Sequence, residues 1–260
     1  MLEVCIDSLE SAVNAVYGGA NEIEICSSLA EGGLTPSAGL VKTIKKAIND
    51  YALTNSAHLD SAESCAKKPK VNVMIRCRTG SDFNYTEQEM ETMMADIYTF
   101  KEIGVDRFVF GSLTVGQEID EENCLRVVEA ASPVPVTFHR AFDVCKEPNK
   151  AMEKLIEIKF DRVLTSGQRT SASDDKAIEL IKSLVKSYGD KIDVMPGAGV
   201  NELNARIFVK LGCKIVHSSC KKVKHLPRVN HHLSMGTSDS EFIYVTDESI
   251  VRRTKEAIVL

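Results

Sequence analysis

Tryptophan is absent from the chain, and only 6% of its 260 residues are aromatic. None of the eight cysteines forms a C-x-x-C pair, so neither a zinc-ribbon spacing nor a thioredoxin-like motif is present. A chain this long is not a small disulfide scaffold, and its cysteines are expected to be reduced and mostly buried. No apolar run approaches the ~18 residues of a membrane-spanning helix. No basic excess marks a nucleic-acid surface: 32 Lys and Arg against 37 Asp and Glu give a net charge of −5. No partner in nucleic acid or membrane is expected. Met1 leads directly into a strand-like pattern without a charged leader, so no signal peptide is expected.

What is there is a strict alternation. Strand-like runs are LEVCI, EIEIC, VNVMIR, RFVFG, PVTFHR, RVLTSG, DVMPG and KIVHSS. Between them lie helix-spaced apolar stripes, such as Leu9, Ala12, Val13 and Val16, then Met90, Met93, Met94 and Ile97. The last stripe is Ile250, Val251, Ala257 and Ile258. Eight strand–helix pairs in about 250 residues predict an α/β fold, a single (β/α)8 TIM-type barrel spanning 1–260, with an open doubly wound sheet as the alternative. Residues 51–70 break the rhythm with a polar Ser, Ala and Lys-rich stretch, read as a mobile loop insertion containing His58. Residues 219–246, with His225, His231 and His232, follow the eighth strand and are expected at the barrel mouth.

Side chains alternate across a strand. Leu2, Val4 and Ile6 form one face of the first strand, and Glu3, Cys5 and Asp7 the other. In the second, Ile23 and Ile25 oppose Glu22, Glu24 and Cys26. Outer helices need the apolar face, so Glu3, Cys5, Glu24 and Cys26 should point into the barrel. Arg76, His139 and His217 stand at the ends of other strands, where barrel enzymes place their sites. Arg76 is expected to satisfy one or both carboxylates, and His139 and His217 are candidate proton shuttles.

Two thiols on neighbouring strands, Cys5 and Cys26, suit a soft ion, Cu(I) before Zn(II). Inert buried thiols and a redox disulfide are the alternatives. Cys145 and Cys220 are placed to reach the same mouth, whereas Cys65, Cys77, Cys124 and Cys213 read as loop or packing residues. MPGAGVN after the seventh strand and TSGQRTS after the sixth suggest an anion site involving Ser166, Gly197, Gly199 and Ser218.

In order, EVCID, NEIEICSSLAEGGLTPS, VMIRCR, PVTFHRAFD, RVLTSGQ, MPGAGV, VHSS and RVNHHLSM resemble the CutC copper homeostasis proteins. The resemblance covers nearly the whole chain apart from 51–70. It implies a TIM-type barrel and a homo-oligomer, dimer or tetramer, with a cytoplasmic location compatible with presence in the nucleus. It also implies a role in copper handling, with Cu(I) at two cysteines that match Cys5 and Cys26. One departure is RCRTGSDF, where Cys77 replaces a proline and one residue is added. Two functions are therefore expected to compete. One is a Cu(I)-binding protein for copper buffering or handling. The other is a barrel enzyme acting on a small polar or phosphorylated metabolite through Glu3, Glu24, Arg76, His139 and His217.

Overall fold

Ser8 closes the first strand and opens the first helix: its extended backbone leaves the helical path while its hydroxyl accepts from the Ser11 N–H. Asp120, Asp174 and Asp247 cap later helices in the same way. Thr86 and Glu89 form a reciprocal capping box. Such caps satisfy N–H groups that the helix itself leaves unpaired. Gly104 ends that helix in the left-handed region, φ 79°, where glycine has no Cβ penalty.

The computed structural model describes residues 1–56, 68–227 and 241–259. The strands are β1 (Leu2–Ile6), β2 (Glu22–Ile25), β3 (Lys70–Met74), β4 (Arg107–Phe110), β5 (Val136–Phe138), β6 (Arg162–Thr165), β7 (Asp193–Pro196) and β8 (Val216–Ser218). Between them run α1 (Leu9–Tyr17), α2 (Ala38–Ser56), α3 (Glu87–Ile103), α4 (Glu121–Ala131), α5 (Pro148–Ile158), α6 (Asp175–Tyr188) and α7 (Ala205–Lys210). After β8 come β9 (Lys221–His225), β10 (Phe242–Thr246) and α8 (Glu248–Ala257).

The eight parallel strands lie in the order β7-β6-β5-β4-β3-β2-β1-β8. Because β1 pairs with both β2 and β8, the strand order never reverses. The open doubly wound alternative is excluded, and the fold is a (β/α)8 barrel. One seam, between β7 and β8, carries no ladder. Pro196 stands at the end of β7 and offers no N–H for a ladder. The seam is closed by packing instead: a Cβ on Gly197 would lie 2.6 Å from Leu164 Cδ1 and 3.3 Å from His217 Cδ2.

The main core lies between the strands and the helices. It gathers Leu2, Val4, Ile6, Ile23 and Ile25 with helix residues such as Ala12, Ile44 and Met90. The opposite set of strand side chains therefore faces the lumen, as the alternation predicts. Two small apolar clusters lie apart from the main core: Cys26, Met74 and Val109 on one side, and Leu164, Met195 and Ile215 on the other.

Two expectations change. Helix α2 continues to Ser56, and Lys70 already belongs to β3. The 51–70 segment is thus a helix extension at its start, while 57–67, with His58 and Cys65, fall outside the described residues. The segment after β8 builds an antiparallel ribbon, β9–β10, laid on α1 through Thr246 N–H to Ser11 Oγ and Asn14 Nδ2 to the Thr246 carbonyl. His225 stands exposed on that ribbon against Phe242. His231 and His232 lie outside the described residues.

Candidate metal centre

The register of β1 and β2 sets the geometry. Glu3 is the Cα partner of Glu22, and Cys5 the partner of Glu24. Cys26 is therefore not opposite Cys5 but two residues further along its strand. With strands ~4.8 Å apart and a rise of ~3.3 Å per residue, that offset separates the two Cα atoms by about 8 Å. A disulfide needs Cα atoms within about 7 Å, so this register disfavours the redox-disulfide alternative.

What stands beside Cys5 is His217 of β8 and Glu24 of β2. One ligand atom from each of Cys5, Glu24 and His217 lies within 4.8 Å of the other two, and all three residues are buried. His217 Nδ1 meets Glu3 Oε1 at 2.8 Å, which turns Nε2 toward the cluster, 3.6 Å from Glu24 Oε2. Such a carboxylate fixes the tautomer and orientation of a histidine. Glu24 Oε1 is buried with no hydrogen-bond partner.

Beneath this triangle lies an ionic layer. Asn72 Nδ2 donates to carboxylate oxygens of both Glu3 and Glu22. Arg162, reaching in from β6, contacts Glu22 at 2.8 Å and Glu3 at 3.4 Å. Lower still, Arg107 pairs with Asp161. Burying charge is costly unless it is paired, and here each carboxylate of the layer has a cationic or amide partner.

The electrostatics follow from these contacts. Burial would raise the Glu22 carboxyl, but the Arg162 guanidinium overrides it and holds Glu22 at about 2. Glu24 has no such partner: burial and the charge of Glu3 push it to about 7, against the pull of His217. Burial alone would lower His217, yet Cys5, Glu24 and Glu3 together raise it well above the usual histidine value. Burial, with Glu24 and Cys5 nearby, pushes the Cys26 thiol up.

Access separates the two thiols. Cys5 is 8% exposed, whereas Cys26 is fully buried. Cys26 is covered by Leu29 and Met74 and by the Ser27–Leu34 turn, closed by hydrogen bonds between those two residues. Gly33 in that turn has φ +88°, and a Cβ there would stand 3.1 Å from the Cys26 sulfur. Glycine is what lets the backbone lie against the thiol.

Arg76 does not meet the carboxylates. Its guanidinium donates to the carbonyls of Glu31, Gly33 and Gly80, tying the loops after β2 and β3 together, and it lies over the Phe83 ring. Its reach is spent on backbone groups at the rim, while Arg162 takes the carboxylates from across the lumen. His139 packs on the other side of this cluster, its ring 4.9 Å from Phe83. Its Nδ1 accepts from the Ala141 N–H. Burial and the charge of Arg76 drop it to about 3, so it is neutral near pH 7.

Of the expected anion site, Gly197 lies against His217 and Gly199 against Ser171. Ser166 directs its N–H and its hydroxyl to the Asp143 carboxylate, and the Ser218 hydroxyl donates to the Val200 carbonyl. Cys145 receives a contact from Gln168, and Cys220 contacts Thr254. Neither joins the Cys5 group.

The sequence model of the CutC family matches residues 1–222. Identity is 42% over 258 residues to a family protein CutC of Parabacteroides distasonis, covering 97% of this chain and 98% of the relative. It is also 42% over 258 residues to the copper homeostasis protein cutC homolog of Mus musculus, covering 97% and 87%. The chain belongs to the CutC family.

Among solved structures, that of CutC from Streptococcus agalactiae superposes with a TM-score of 0.71 at 31% identity, over 84% of this chain and 98% of that one. No described helix is long and apolar enough to cross a membrane.

Of the expected lumen residues Glu3, Glu24, His217, Cys5 and Cys26 of this CutC-family barrel, the structure gathers the first four. Glu22, Asn72 and Arg162 join them without being among the expected site residues. The signal was present: Asn72 is in phase with Arg76, and Arg162 with Leu164, which faces the lumen.

Proposed function

We propose that this CutC-family protein handles copper by holding it as Cu(I) at the mouth of the barrel, with Cys5 and His217 as donors. The observation that carries this is the convergence of Cys5, His217 and Glu24 within 4.8 Å. A thiolate and an imidazole form a soft donor pair that suits Cu(I). Glu3 on the far nitrogen of His217 supports the donor role. Glu24, whose Oε1 has no partner, supplies a carboxylate beside the ion. Cys26, one residue layer further toward the rim, is the second thiol, and it takes part when the Gly33 turn shifts. Because Cys5 is the more exposed thiol, it meets the ion first. Self-association inside the cell, as a dimer or tetramer, belongs to the same reading and is checked by sedimentation.

The test is anaerobic titration of the reduced chain with Cu(I) against a competing chelator. The expected result is about one ion per chain. Binding is lost in Cys5→Ser, strongly weakened in His217→Gln and more mildly weakened in Cys26→Ser. Undiminished binding in a Cys5→Ser, Cys26→Ser double variant would place the copper elsewhere.

A further inference from the structure

Toward the rim from Cys5, the lumen holds a second pair of sulfur atoms. The ladder matches Ile25 with Val73, so the next residues, Cys26 and Met74, stand level on neighbouring strands. Met74 is in turn the Cα partner of Val109. Asn72 points into the lumen, toward Glu3 and Glu22, and side chains alternate along a strand, so Met74 points inward as well. Level neighbours on adjacent strands are ~4.8 Å apart, within reach of a side chain as long as methionine. Cys26 and Met74 do pack together, apart from the main core. Both meet at Gly33, where a Cβ would lie 3.1 Å from the Cys26 sulfur and 3.6 Å from Met74 Cε. Cys26 is fully buried and Met74 nearly so.

We propose that Cys26 and Met74 form a second, all-sulfur site for Cu(I), filled after the Cys5–His217 site. The inference rests on the reading that this barrel takes copper, and it adds a donor of a different kind. The donors choose the ion. Thiolate and thioether are both soft ligands that suit Cu(I). One Cu(I) on one thiolate and one thioether is neutral overall, so its burial beside Val109 and Leu29 avoids the penalty of an unmatched charge. Zn(II) takes four donors drawn from thiolate, imidazole and carboxylate, and the pair offers one of them. Cys5, His217 and Glu24 are, by contrast, a set that zinc also accepts. The second site is therefore the more selective for Cu(I).

The surroundings fit a covered site. The Ser27–Leu34 turn lies over the pair, and Arg76 holds that turn through the carbonyls of Glu31 and Gly33. Two packed sulfur side chains take an ion between them with a small separation, so no open cavity is needed. Cys26 gives up its proton as the ion binds, as a thiol ligand must. The other lumen cluster, Leu164, Met195 and Ile215, has a methionine but no thiol, and it serves as an internal control.

The test uses the reduced full chain, labelled with carbon-13 in its methionine methyl groups. Silver(I), a redox-stable stand-in for Cu(I), is the added ion. Two equivalents are expected to bind. The first moves the His217 ring-nitrogen NMR signals. The second moves the Met74 methyl signal, assigned by its loss in Met74→Leu, and leaves the Met195 methyl in place. Met74→Leu conserves volume, so the variant keeps the barrel. In that variant and in Cys26→Ser the first equivalent still binds and the second is lost. Zn(II) leaves the Met74 methyl signal where it was. A Met74 signal that stays in place with two equivalents bound would overturn the proposal. So would a second equivalent that persists in Met74→Leu, or a chain that takes no more than one. Should the Met74 signal move while those of His217 do not, the covered site stands and the Cys5–His217 reading falls.

Discussion

Glu3 and His217 are 214 residues apart in the chain and meet at 2.8 Å inside the barrel. The contact exists because β1 is flanked by both β2 and β8, so barrel closure brings the first and eighth strands together. It fixes which ring nitrogen of His217 is left for Cys5 and Glu24. Removing the carboxylate by Glu3→Gln should leave the barrel folded, since glutamine keeps the amide contact to Asn72. Copper affinity should fall about 10- to 100-fold, the usual effect of losing such an outer partner. The chelator competition measures this, and unchanged affinity would show that the contact is not used.

Arg162 should be the more costly residue for stability. It is the cation that answers Glu22 and Glu3 in the buried layer. Truncation in Arg162→Ala leaves Glu22 with only Asn72 and Glu3 with Asn72 and His217, and such losses cost about 3–5 kcal/mol. Urea unfolding is expected to show a midpoint shift of that size. Arg76→Ala should cost less, because its partners are rim carbonyls that water can reach once the side chain is gone.

The Gly33 turn governs access to Cys26. Gly33→Ala places a Cβ in the left-handed region, at roughly 1–2 kcal/mol, and within 3.1 Å of the thiol. Arg76→Ala removes the tie to the Gly33 carbonyl. Both variants should speed modification of Cys26 by a small maleimide, read by peptide mass, while Cys124 in the core stays protected. A Cys26 rate unchanged in both would mean that the turn is not the cover.

Stability should fall with acid in an order set by two groups. His139 is held at about 3 in the fold, against an ordinary 6.5. Its contribution is complete above pH 6.5 and drains as the pH falls toward 3, because the unfolded chain binds the proton first. Glu22, held at about 2 against 4.5, contributes fully above pH 4.5 and is lost only below it. His217, raised in the fold, runs the other way and is stabilising below pH 6.5. Comparing wild type with His139→Gln isolates the first effect. Between pH 6.5 and 4.5 the wild type should lose more stability than the variant, by up to about 1.4 kcal/mol per pH unit. Parallel curves would contradict a neutral buried His139.

Much of this was legible in the residues. The alternation in LEVCI and EIEIC gave the inward face, because outer helices leave the apolar face only one place to go. The eight strand–helix pairs gave the barrel for the same reason. Register was not legible. Nothing in the spacing says that Cys5 is level with Glu24 rather than Cys26, since that depends on how far neighbouring strands slide. Nor could it show that Arg162 crosses the lumen, because its partners Glu22 and Glu3 lie four and five strands along the sheet. The β9–β10 ribbon was hidden because KKVKH is exposed along its length and shows little apolar alternation.

Copper held jointly by Cys5 and His217 has its own spectroscopic signature. X-ray absorption at the copper edge of the reduced one-to-one complex tests it most directly. Both sulfur and nitrogen scatterers are expected around Cu(I), with the nitrogen contribution lost in His217→Gln and sulfur reduced in Cys5→Ser. A sulfur-only shell that His217→Gln leaves unchanged, or copper that fails to bind the wild-type chain, would contradict it.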